Sequence, residues 1–172
     1  MDTFVEQLVK KKKSAGQIVT IAGILLATAI LVVASLLLFR ILGAFSTLII
    51  VGVFYGAWYL LTAQNIEYEY SVTNGDIDID RITAQRKRTR IVSVSGRKIE
   101  SAGKYHPEKW AGRQIDRTVM AAPSDHEDNL YYFTYHSKKR GHTLVVFQPD
   151  DRVKQSVYDG LPKLVQLDWD KE

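Results

Sequence analysis

From Ile18 to Leu61 the chain carries a single charge, Arg40, and beyond that run a continuous apolar pattern gives way to alternation. The stretch IVTIAGILLATAILVVASLLLF, Ile18 to Phe39, holds 22 residues. As a helix it would extend about 33 Å, enough for a hydrocarbon core of about 30 Å. A second apolar stretch covers about 41–61 and leaves only a tight turn around Arg40, so residues 18–63 are expected to form a transmembrane helical hairpin. After it, Ile66, Tyr68, Tyr70 and Val72 alternate with Glu67, Glu69, Ser71 and Thr73, the pattern of a half-buried strand. Asn74-Gly75 then supplies a two-residue type I′ turn, and DIDID resumes the alternation with Ile77 and Ile79 inward. That turn predicts Val72 opposite Ile77, Tyr70 opposite Ile79 and Glu69 opposite Asp80, two like charges that need neutralising.

Further strand signals follow at RIVSV, IESAG, QIDRTVMAA, NLYYFTYHS and HTLVVFQ, each bounded by turn formers. Lys138 to Gly141 reads as the hairpin turn between the last two, and 104–113 carries no clear signal. Val153, Val157, Leu161 and Leu164 recur at helical spacing after Pro149-Asp150-Asp151, predicting a C-terminal helix over about 150–167, ended or kinked by Pro162. The fold class is therefore α+β: a basic tail over 1–17, a helical hairpin over 18–63, and a mostly antiparallel β domain of about seven strands over 64–172.

Charge sets the orientation. Lys10, Lys11, Lys12 and Lys13 precede the first span, and only Arg40 marks the far turn, so the N-terminus is expected in the cytoplasm and the β domain with it, at the inner membrane. Ala27-Thr28-Ala29 fits a signal-peptidase site, but the apolar run continues through Phe39, too long for a signal core. Phe54, Tyr55, Trp58 and Tyr59 resemble an interfacial belt. Gly52 and Gly56 have the spacing of a close helix contact, expected against Gly23 and Ala27 of the first helix, with homodimerisation as the alternative. In the tail, Phe4, Val5, Leu8 and Val9 fit a short amphipathic helix lying on the membrane.

The two-helix hairpin followed by YEYSVTNGDIDID, a basic turn, IVSV and IESAGKY resembles small bacterial membrane proteins with a pleckstrin-homology-like (PH-like) cytoplasmic domain. The stretch LVVFQPDDRVKQSVYDGLP is similar to the closing strand and helix of one uncharacterised two-span family of this kind. The resemblance implies a bent pair of sheets capped by a helix, and no activity.

Chemistry is sparse. There is no cysteine. Asp76, Asp78 and Asp80 open like a calcium loop, but its sixth and twelfth positions hold Arg81 and Lys87 where glycine and a carboxylate are needed. Asp125-His126-Glu127-Asp128 follows a turn and reads as a solvated loop; His106, His136 and His142 are isolated in sequence. No phosphate loop or nucleophile elbow occurs, so neither catalytic residue, cofactor nor metal is expected. Net charge is +4 overall, and the 64–172 segment, with eighteen bases and seventeen acids, is too balanced for a nucleic-acid domain.

Charge order is the unusual feature. Residues 66–80 hold five acids and no base, whereas 81–104 hold eight bases and one acid. Either these blocks neutralise each other across a sheet, or Arg86, Lys87, Arg88 and Arg90, with Lys10 to Lys13, meet anionic phospholipid headgroups or an acidic partner. The expected function is a non-catalytic interaction or lipid-sensing module at the inner leaflet. The alternative is an accessory subunit of a larger membrane complex, meeting a membrane protein partner through Gly52, Gly56 and the aromatics of NLYYFTYHS.

Overall fold

The computed structural model describes residues 3–125 and 128–169. In chain order the elements are β1 (Phe4–Lys10), α1 (Ala15–Leu37), α2 (Phe39–Leu42), α3 (Phe45–Ala63), β2 (Ile66–Thr73), β3 (Asp76–Thr83), β4 (Lys87–Ser95), a 3₁₀ turn (Gly96–Lys98), β5 (Ile99–Lys104), α4 (Pro107–Trp110), β6 (Arg117–Ala121), β7 (Tyr131–Ser137), β8 (Gly141–Phe147), α5 (Asp151–Gly160) and α6 (Lys163–Trp169). They form two compact units, 12–66 and the rest.

The first unit holds two helices, α1 and α3, each long and apolar enough to cross a membrane. A capping box opens α1: Gln17 N–H donates to Ser14 Oγ at 3.3 Å, and Ser14 N–H donates to Gln17 Oε1 at 3.1 Å. Two threonines of α1 return their hydroxyls to the backbone, Thr28 to the carbonyl of Ile24 at 2.7 Å and Thr20 to that of Gly16 at 2.9 Å, which satisfies them without water. The turn is longer than expected, since Arg40 lies in the one-turn helix α2, closed by Gly43 at φ 55°. Gly23 and Gly56, together with Ala27 and Ala57, line an open apolar groove of about 470 Å³ between α1 and α3. A Cβ at Gly23, Gly52 or Gly56 would meet no atom within 4 Å.

The second unit corrects the reading of the N-terminal tail. Residues 4–10 form a strand, not a surface helix, and β1 pairs antiparallel with β2 from Phe4 opposite Thr73 to Lys10 opposite Glu67. Phe4, Val5, Leu8 and Val9 fit a helical stripe, but the exposed polar edge of β2 offers backbone partners that a helix would leave unused. Val9 then enters the core, and Gln7 ties β1 to the end of β8: its Nε2 donates to the Gln148 carbonyl at 3.1 Å and its Oε1 accepts from Asp150 N–H at 2.7 Å. Because β1 precedes α1 and β2 follows α3, the apolar helix pair is inserted in the connection between two neighbouring strands.

Among the described residues, eight strands form two sheets, ordered β1-β2-β3-β4 and β5-β7-β8-β6. All resolved pairings are antiparallel except β6 with β8. Between the sheets lie Tyr70, Val72, Ile77, Ile79, Phe133, Val145 and Phe147, with Val153 and Val157 of α5 closing one side. Each such side chain contributes about 1.5–3 kcal/mol of burial. The stretch 104–113, unassigned from sequence, covers the back of the second sheet. Trp110 of α4 packs on Tyr132 at 4.7 Å between ring centroids, over Leu144 and Val146. Both faces of β8 are thereby buried, which explains its unbroken apolar run.

At the C-terminus one expected helix is two, α5 and α6, parted at Leu161-Pro162. Asp150 caps α5, accepting from Val153 N–H at 2.8 Å. The end of α5 rests on the Asn74-Gly75 turn. A Cβ on Gly96 would lie 2.5 Å from the carbonyl oxygens of both Gly75 and Gly160, so three glycines let backbone meet backbone there.

Candidate functional site

Acids of β2 and β3 and arginines of β4 gather on the outer face of the first sheet. Ile77 and Ile79 of β3 and Val92 and Val94 of β4 face inward, which would send Arg88 and Arg90 inward too, by the two-residue period. A β-bulge prevents this. Ile79 lies opposite Val92, but the next residue, Asp80, lies opposite Arg90 rather than Ile91. The extra residue turns the basic half of β4 to the outer face, beside the acids.

There the charges interlock. Arg90 Nε meets Asp80 at 3.0 Å and its Nη1 meets Asp78 at 3.1 Å. Arg88 reaches Asp80 at 2.9 Å and bonds Glu69 on the next strand. Glu69 and Asp80 keep only 8% of their side-chain surface, so an unpaired carboxylate at either place would be costly; the guanidinium forks neutralise them. Lys10 stands 3.9 Å from Glu67 at the corner of the face. Asp78 and Asp80 therefore use their oxygens on arginines.

The other sequence candidates are placed differently. Arg86 and Lys87 lie exposed at the tip of the β3–β4 hairpin, where Arg86 N–H donates to the Thr83 carbonyl at 3.1 Å. Ala84 and Gln85 form that turn at φ 55° and 56°, left-handed values that residues with a Cβ seldom adopt. Lys11, Lys12 and Lys13 are exposed between β1 and α1. Of the Asp125 to Asp128 cluster, His126 and Glu127 lie outside the described residues. Of the aromatics of NLYYFTYHS, Tyr132, Phe133 and Tyr135 are at most 8% exposed, whereas Tyr131 is half-buried.

A family model described as Bacterial PH-like domain (DUF6106) matches residues 1–166. The chain belongs to this family. The match begins at the N-terminus, as the structure requires, because β1 is part of the PH-like domain's sheet. No curated protein and no solved structure matched the chain. Two polar features of the PH-like domain escaped the sequence. One is the bulge that makes Arg88 and Arg90 structural; the other is a cleft under α5 that joins Lys104 and Tyr131 to Lys154, Tyr158 and Trp169. Pairing of β5 with β7 sets Lys104 beside Tyr131, segments far apart in the chain.

Proposed function

We propose that this PH-like protein is a membrane-anchored, non-catalytic module that holds its domain at the cytoplasmic face of the inner membrane and meets anionic headgroups there. The observation that carries this reading is the insertion of the apolar helix pair between β1 and β2. Lys10 and Glu67 are paired neighbours, so both ends of the helix pair are held on one sheet edge and must leave a bilayer on the same side. The helices fit a hydrocarbon solvent: Leu26, Ile30, Val51 and Phe54 are all more than half exposed, a state water would penalise heavily. Lys11, Lys12 and Lys13, next to α1, favour the cytoplasmic side.

For headgroup contact the residues are Arg86 and Lys87. Arg88 and Arg90 serve the sheet, whereas the hairpin tip projects two exposed bases on a strained turn, a feature that recurs at binding sites. Each base near an anionic surface contributes about 1 kcal/mol. The test uses the domain with Lys11–Asn65 replaced by Asn-Gly, which joins β1 directly to β2. We expect it to sediment with phosphatidylglycerol vesicles in a salt-sensitive way, and Arg86→Gln/Lys87→Gln to weaken this by about thirtyfold. Equal binding by wild type and variant would remove the hairpin tip from the proposal.

The second reading, an accessory subunit of a membrane complex, rests on the groove at Gly23, Ala27, Gly56 and Ala57, where the helices leave space for a third. A cysteine at Ala57 that crosslinks specifically to another protein in native membranes would favour it.

A further inference from the structure

Beneath α5 and α6 lies a cleft of about 550 Å³ whose polar lining differs in kind from the charge-balanced outer face. Lys104 and Tyr131 are direct partners in the β5–β7 register and so share a face. Lys154 reaches the same tyrosine from α5: its Nζ donates to the Tyr131 hydroxyl at 2.6 Å and lies 4.6 Å from the ring centroid. Trp169 stacks on Tyr131 at 5.2 Å with 17° between planes, and Tyr158 meets Trp169 edge-on at 6.4 Å. These rings fix Tyr131 in place. Its oxygen accepts from an ammonium, which leaves its own O–H to donate.

Both lysines are half-buried, and among the described residues neither has a carboxylate in ion-pair contact. Two half-buried ammonium groups on one cleft, neither in ion-pair contact, attract a bound anion. A phosphate dianion matches two lysines, which bind it as point charges, and accepts the Tyr131 O–H as well; a carboxylate would neutralise only one. The volume falls in the ordinary range for small-molecule sites and exceeds what phosphate alone fills. Asp151 stands on the lining too and repels phosphate, but suits a hydroxyl donor on the rest of the ligand. We propose that this cleft binds a small phosphomonoester through Lys104, Lys154 and Tyr131, the chemistry shared by soluble glycerol phosphates and by phosphatidic headgroups. It does not depend on headgroup contact at the β3–β4 tip.

The experiment uses the full chain in phosphatidylcholine nanodiscs, labelled with 5-fluorotryptophan and followed by ¹⁹F NMR, with the Trp169 signal assigned from Trp169→Phe. Glycerol 3-phosphate is titrated in one arm, and phosphatidic acid is added to the nanodisc in the other. The Trp169 signal is expected to shift saturably while those of Trp58 and Trp110 stay. Lys104→Gln and Lys154→Gln should each weaken binding at least tenfold with an unchanged melting temperature, and Lys→Arg at either position should retain it. A shift with glycerol 3-phosphate identifies a soluble ligand; a shift only with phosphatidic acid identifies a lipid; each supports the site. Arg86→Gln/Lys87→Gln should leave either shift in place, which separates this site from the hairpin tip. No shift in either arm, equal affinity in the Lys104→Gln/Lys154→Gln double variant, or equally tight binding of acetate would overturn it.

Discussion

Tyr70 is fully buried, yet it ends in a hydroxyl that serves three strands. Its O–H donates to the Ala121 carbonyl at the end of β6, and its oxygen accepts from Gln148 N–H at 3.3 Å, beyond β8. Tyr70→Phe would leave both backbone groups unpaired and should cost about 1–3 kcal/mol, read from thermal unfolding. Burial pushes the Tyr70 phenol well above its usual range, with the Gln148 bond opposing this. A raised folded pKa means that the neutral form stabilises the fold below the ordinary value of about 10, and this stability is lost as pH rises beyond it. The Tyr70→Phe variant should accordingly lose less stability above about pH 10 than wild type does. At Asp150 the sign reverses. Partial desolvation raises its pKa, but the Val153 N–H and Arg152 outweigh this and hold the carboxyl below its usual range. Its cap is intact above about pH 4 and fades as pH falls further; Asp150→Ala should cost about 1 kcal/mol at neutral pH. Arg88→Ala takes the guanidinium away from Glu69, whereas Asp80 keeps Arg90. The arginine is half exposed, which limits the penalty, and a loss of about 1–2 kcal/mol is expected in the same melting assay.

Among elements, β1 has the largest consequence. A chain starting at residue 64 lacks the strand that pairs all of Glu67–Thr73, loses Val9 from the core, and presents the edge of β2 to other molecules. Such a chain should aggregate or stay partly unfolded. The version with Asn-Gly in place of Lys11–Asn65 should give a cooperative melt and one dispersed NMR spectrum; equal behaviour of the two chains would mean that β1 is dispensable. The three-glycine contact makes a second prediction. Gly96→Ala must push α5 away from the β2–β3 turn, because its methyl meets two backbone oxygens that cannot swing aside. It should cost at least as much as overpacking a core, about 1–3 kcal/mol, whereas Gly52→Ala, with open space around it, should melt as wild type. Helix and strand identity was mostly legible, since alternation in IEYEYSV and the 3.6-residue period of Val153, Val157 and Leu161 have one reading each. The tail was not, because Phe4, Val5, Leu8 and Val9 satisfy a helical stripe and a half-exposed strand alike, and only the edge of β2 decides between them.

At the scale of the whole molecule, the chain combines two solvents in one topology. A pair of helices suited to hydrocarbon interrupts the connection between two paired strands of a PH-like domain. Single cysteines at Lys139 and Leu42 should label on opposite sides of inverted and right-side-out vesicles, Lys139 on the cytoplasmic side; labelling of both from one side would refute the two-span topology. The sequence by itself determined the apolar pair, the Asn74-Gly75 turn, the order of most strands and the separation of acids from bases, because each of these is a local pattern with a local physical cause. Only the tertiary structure decided what those charges do. The bulge after Ile79 turns Arg88 and Arg90 to the face that Glu69 and Asp80 occupy, and strand pairing brings Lys104 and Tyr131 together over Lys154. Register and long-range pairing depend on how distant segments share one core, and no window along the chain contains that information.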